Sequence, residues 1–122
     1  MARVYLDANS FIDVIENREA VDLESFKGHS LFISPLSIHI LVYVYRYKMP
    51  NNKLAKLTDF INVATLDQQT ASKSLVGPTN DFEDNVQVHT AAMADCEIFL
   101  TKDKKLLGLK FFGKLQIISS LT

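Results

Sequence analysis

Asp7 ends the run "RVYL", Asp103 follows the run "IFLT", and "NDFEDN" gathers Asp81, Glu83 and Asp84 ahead of "VQVHTAA". Carboxylates are the side chains that hold a hard divalent cation. Mg²⁺ in particular takes one or two of them and completes its octahedron with water and substrate phosphate. In open α/β sheets ligands sit beyond the carboxyl ends of the strands, so an acid there carries more weight than an acid elsewhere. Taken singly, each of these acids also reads as a cap or a solvating charge.

Helical geometry at about 100° per residue separates the carboxylates of the third stretch. With Asp84 as origin, Val88 and Ala91 fall within about 40°, and Phe82, Val86, His89, Met93 and Cys96 extend the arc on one side. Glu83, Gln87 and Thr90 lie together on the other side. Asp84 therefore borders the apolar arc, and Glu83 faces water. An ionised carboxylate at such a border needs a partner. A cation would serve, helped by the positive end of the helix dipole. Asn80 or Asp81 is the expected cap, with Glu83 completing a capping box from Asn80.

The elements that must position these acids alternate. Val4 to Leu6 reads as a strand ending at Asp7, with Asn9 or Ser10 capping a helix through Phe11, Ile12, Val14 and Ile15. "HSLFIS" is a strand, and the helix "PLSIHILVYVYRYK" follows. Its two apolar stripes, Ile38, Leu41, Val42, Tyr45 and Ile40, Val44, Tyr47, predict burial on two sides, inside the fold or against a partner chain. "KLAKLTDFI" is a short amphipathic helix, "INVATL" a strand and "DQQTASKSLV" a helix. After the loop "GPTN" come a helix from about Asp81 to Ala94, the strand "EIFLT", a turn at "DKKLLG" and a last strand "LQIIS". This alternation predicts an α/β fold with three α/β/α layers around a mostly parallel sheet, as one domain over residues 1–122.

The totals narrow the chemistry. About half of the 122 residues are hydrophobic, enough for a core without metal or disulfide staples. The single cysteine, Cys96, permits no intrachain disulfide and follows a predicted helix face, so it reads as an inert core thiol in a reducing, cytoplasmic setting. No run approaches the ~20 apolar residues of a membrane span, and no membrane partner is expected. The net charge of −1 does not announce a nucleic-acid binder, although an acidic site and a basic rim would cancel.

"VYLDANSFID", "ISPLSIHIL" and "DFEDNVQVHTAAMADCEIFLTKD", taken in order, resemble the PIN-domain ribonucleases, which include the VapC-type toxins of bacterial toxin–antitoxin pairs. The resemblance runs over nearly the whole chain. It implies a parallel sheet flanked by helices, with acids at one end binding Mg²⁺ or Mn²⁺ for RNA hydrolysis. It assigns the ligand positions to Asp7, Asp84 and Asp103, with Thr101 or Asn9 in support. Asp81, Asp13 or solvent is left as the source of a further ligand. Such a site needs no histidine or cysteine nucleophile, because metal ions activate water and neutralise phosphate charge.

One position departs from the family. A glutamate is usual six residues after the serine that ends the second strand, and from Ser34 that position is Ile40. The neighbouring His39 points elsewhere on a helix and reads as a core or interface residue. An RNA substrate would call for cations around the acids. Lys102, Lys104 and Lys105 flank Asp103, and Arg46, Lys48, Lys53 and Lys56 follow the second helix. Tyr43, Tyr45 and Tyr47 fit packing better than base stacking. The apolar helix and the resemblance imply a homodimer, and an antitoxin peptide would fit the same groove. Two other readings stand beside the ribonuclease: a PIN-like domain that binds RNA or protein without cutting, and a phosphoacceptor receiver domain with Asp67 as acceptor.

Overall fold

The computed structural model describes residues 1–16, 18 and 23–121. Among them are six strands in one sheet: β1 (Arg3–Leu6), β2 (Ser30–Ile33), β3 (Asn62–Val63), β4 (Ile98–Leu100), β5 (Phe111–Phe112) and β6 (Leu115–Ile118). Six α-helices accompany them: α1 (Ala8–Glu16), α2 (Pro35–Tyr45), α3 (Asn52–Ala55), α4 (Gln68–Ser74), α5 (Phe82–Met93) and α6 (Lys104–Leu109). The strand order is β3-β2-β1-β4-β6-β5. All pairs are parallel except β5 with β6. None of the helices is long and apolar enough to cross a membrane.

Strand alternation sends successive side chains to opposite faces, and this produces the layers. Tyr5, Phe32, Phe99 and Ile117 pack on one face with Val88 and Ala91 of α5 and Leu106 of α6. Val4, Leu6, Ile33 and Leu100 pack on the other with Phe11 and Ile12 of α1 and Leu41 of α2. Tyr5 and Phe99, paired across β1 and β4, stack at 5.4 Å between centroids. The fold is the α/β/α arrangement that the alternation of elements predicted.

The order of strands reverses at β1. The chain runs from β1 through β2 to β3 on one side, then returns to place β4 on the other. The crevice beyond the carboxyl ends of β1 and β4 is therefore the topological switch point, where open α/β sheets bind ligands.

Local signals explain the boundaries. Ser34 caps α2, its Oγ accepting from Leu36 N at 3.0 Å, with Pro35 at a position that needs no donor. Arg46 ends that helix in the left-handed region, φ 53°. The stretch "DKKLLG", read from sequence as a turn, is mostly the helix α6. Its cap is Asp103, and Leu106 is its buried anchor. The strand read over "INVATL" is only two residues long, and β5 is a two-residue antiparallel addition that the sequence pattern had not suggested.

α2 does not bury two sides within this chain. Ser37 and Leu41 are buried and Ile38, Ile40 and Tyr45 are partly covered, while Tyr43 and Val44 stand 75% and 57% exposed. His39 is also exposed and stacks on Tyr43, with ring centroids 6.2 Å apart. Of the second stripe, Ile40 and Tyr47 are partly covered against the core and Val44 faces outward, beside the exposed Tyr43.

Candidate functional site

Asp7 follows β1 directly and is 5% exposed. Its backbone N–H extends the ladder to β4 by donating to Leu100 O at 3.0 Å. The side chain is fixed at both oxygens: Ala8 N donates to Oδ1 at 2.7 Å and Thr101 Oγ1 donates to Oδ2 at 2.7 Å. Thr101, fully buried one residue beyond β4, also accepts through Oγ1 from Asp103 N at 3.0 Å. One hydroxyl therefore ties Asp7 to the backbone of Asp103 across the switch point. Asp103 in turn caps α6, its Oδ1 accepting from Lys105 N at 2.8 Å.

The third acid comes from α5. Asp81 caps this helix, Oδ1 accepting from Asp84 N at 3.0 Å. The capping pair is thus Asp81 with the third helical position, Asp84, in place of the Asn80 and Glu83 pair expected from sequence. Asp81 serves the helix start, and Asp84 is left half-exposed at the rim. Glu83 is exposed, as its helical phase required.

The phase argument misses the opposite border of α5. Gln87 and Thr90, grouped with Glu83 by angle, are fully buried, whereas Phe82 and Met93 are about half exposed. Gln87 is drawn in by polar partners beneath the acids: Tyr5 OH donates to its Oε1, and Ser37 Oγ does so at 3.4 Å. Asn85, also buried, fastens the preceding loop. Its Nδ2 donates to Ser74 O and Thr79 O at 2.9 and 3.0 Å, and its Oδ1 accepts from Thr79 N at 2.8 Å. A buried amide inside a helix that follows a loop is the one sequence signal for this clasp.

The electrostatics tie the acids together. Burial raises the Asp7 carboxyl above its ordinary range, and Asp103 and Asp81 add to that rise while the Thr101 and Ala8 hydrogen bonds oppose it. Asp84 is pushed up to about 6, by desolvation first and then by Asp81, Asp103, Asp7 and Glu83. Glu83 is raised by desolvation, Asp7 and Asp81. None of Asp7, Asp84 and Asp103 forms an ion pair among the described residues. Like charges held together without a counter-charge favour either a proton or a cation.

In kind, this donor set suits a hard cation: carboxylate oxygens, one of them pre-oriented by two hydrogen bonds. It is an open set. Among the described residues no three His, Cys, Asp or Glu side chains close into a metal-binding group. Asp7 and Asp103 are joined through Thr101, whereas Asp84 approaches from a separate helix. Asn9 is exposed two residues beyond Asp7. Asp13 lies in α1, ion-paired with Arg18 at 2.9 Å.

No protein-family model matches the chain, and no curated protein matches it. The site therefore has to be read on its own geometry. Asp67, the acid a receiver domain would phosphorylate, is instead the exposed cap of α4, with Oδ1 accepting from Thr70 N at 2.9 Å. Cys96 is fully buried just beyond α5, outside the helix, and burial pushes its thiol up to about 12, so it offers no nucleophile.

Proposed function

We propose that this chain is a PIN-type ribonuclease that hydrolyses RNA phosphodiester bonds with Asp7, Asp84 and Asp103 as the ligands of Mg²⁺ or Mn²⁺. The observation that carries the reading is the gathering of these acids at the switch point, with the Asp7 and Asp84 carboxyls raised and none of the three in an ion pair among the described residues. A bound divalent ion would supply an activated water and charge neutralisation at the phosphate.

The chain's own residues have distinct tasks in this reading. Thr101 holds Asp7 in a single orientation and fixes the start of the Asp103 turn. Asp84 must be ionised to act as a ligand, so activity rises with pH through about 6. Asn9 and Asp81 support the rim, the latter by fixing the first turn of α5. Lys102, Lys104 and Lys105 border Asp103 and meet the RNA backbone.

The same reading makes the protein a cytoplasmic toxin of a toxin–antitoxin pair, neutralised by an antitoxin segment over the acidic groove. The exposed Tyr43 and Val44 face of α2 then serves as the homodimer contact. A second reading, a PIN-like domain that binds RNA or protein without cutting, is favoured by Ile40 at the position where the family carries an acid and by the open donor set.

The deciding experiment is calorimetric Mn²⁺ titration of wild type and Asp84→Asn, with RNA cleavage assayed in the same buffer. Metal binding and cleavage in wild type, both lost in the variant, support the nuclease. RNA binding without cleavage, and no Mn²⁺ uptake at millimolar concentration, support the non-catalytic reading.

A further inference from the structure

Two fully buried polar groups of α5, Nε2 of Gln87 and Oγ1 of Thr90, make no hydrogen bond among the described residues. Native interiors pair nearly all such groups, because an unpaired one forfeits the hydrogen bonds that solvent gives it in the unfolded chain. The polar side chains around them are already engaged. Tyr5 OH and Ser37 Oγ both donate to Gln87 Oε1. On α4, which packs along α5, Ser74 Oγ donates to Thr70 O at 2.7 Å. The Asn85 amide is bound to Ser74 O, Thr79 O and Thr79 N. These neighbours leave Gln87 and Thr90 to a partner from outside the chain.

Geometry and charge fix the class of that partner. Gln87 and Thr90 are three positions apart on one helix, so their Cβ atoms are roughly 5–6 Å apart, a gap that two hydrogen bonds of about 2.9 Å through one atom can span. Nε2 only donates and the hydroxyl does either, so the bridging atom accepts from the amide and pairs with the hydroxyl. Val86, Val88 and Ala91 beside them are buried and apolar, and such surroundings penalise an ion. A pocket of about 280 Å³, lined by Val63, Asp67, Thr70 and Met93 among others, brings solvent to the same helix pair one turn beyond Thr90.

From these groups we infer that a buried water molecule bridges Gln87 and Thr90. It belongs to the floor of the acidic crevice. Gln87 lies one turn inside Asp84 on α5 and holds the hydroxyl of Tyr5, which points to the same face of the sheet as Asp7 two residues later. The inference rests on packing and holds whether or not the acids take a metal.

Crystallography of the full chain, at a resolution that shows ordered solvent, tests it on wild type, Thr90→Val and Thr90→Ser. Wild type should show one water within about 3.2 Å of both Nε2 and Oγ1. Thr90→Val keeps the shape and removes the hydroxyl, so the water should leave and the unfolding equilibrium constant in urea should rise roughly tenfold. Thr90→Ser keeps the hydroxyl and should keep the water. A wild-type interior without that water, its Thr90 hydroxyl bonded instead to the carbonyl four residues back, overturns the inference. A Thr90→Val protein that unfolds no more readily than wild type overturns it too. If valine prevents folding, the wild-type and serine maps decide: the bridging water in both upholds the inference, and its absence from either overturns it.

Discussion

The two ends of the β1–β4 pair are built from the same strands and treat charge in opposite ways. At the amino end, Arg3 Nη2 donates to Ala94 O at 2.6 Å, its guanidinium lies 4.3 Å above the Phe32 ring, and Arg3 N donates to Glu97 Oε1 at 3.0 Å. Both the Arg3 guanidinium and its backbone N–H have acceptors there. At the carboxyl end, Asp7, Asp81, Glu83, Asp84 and Asp103 raise or border one another, with hydrogen bonds but no ion pair among the described residues. The amino end pairs its charge, whereas the carboxyl end holds perturbed carboxyls without an ion pair among the described residues, the pattern on which the proposed ligand site rests.

Substitutions at the two ends break or sharpen this contrast. The largest effect is expected from Asp7→Asn, which should remove RNA cleavage beyond the roughly 100-fold that bounds losses from outer partners. The buried amide should fold as well as the carboxyl that burial already penalises, and circular dichroism with a cleavage time course checks both. Thr101→Val comes next. It strips Asp7 of a buried donor, so cleavage should fall about 10- to 100-fold and urea unfolding should show about 1–3 kcal/mol lost. An unchanged Thr101→Val rate would mean that the hydroxyl serves packing alone.

A smaller effect concerns pH. Asp84 has a folded pKa raised from 3.8 to about 6, so its ionisation opposes folding. Stability from this group is full below about pH 4 and declines as pH rises through about 6. Asp84→Asn should therefore melt above wild type at about pH 7.5, by about 2 °C after discounting for solvent at this half-exposed position, and the gap should close near pH 4. Scanning calorimetry at several pH values reads this directly, and a constant gap would sever Asp84 from the other acids. Least affected should be Glu97→Gln at the amino end. Its cleavage rate should match wild type and its unfolding free energy should lie within about 0.5 kcal/mol.

The layers were legible because β1, β2, β4, α2 and α5 each announce themselves by period and by punctuation such as Ser34-Pro35. The places of the candidate acids were legible for a related reason: strand ends and first helical turns are positions a pattern can locate. The Asp7–Thr101 bond was not, since its partners come from strands whose adjacency no local signal states. Nor was the burial of Gln87 and Thr90. Angle alone grouped them with Glu83, while Tyr5 and Ser37 beneath the acids provide polar contacts that let an amide enter the core. α6 escaped notice because its six residues are too few for periodicity to outweigh the glycine at Gly108.

The bond between Thr101 and Asp7 joins residues 94 positions apart. A growing chain presents Asp7 long before the hydroxyl that orients it and the strand that covers it. The pairing of the two waits for the closure of β4 against β1, and a product ended between them carries the first acid without the means to aim it.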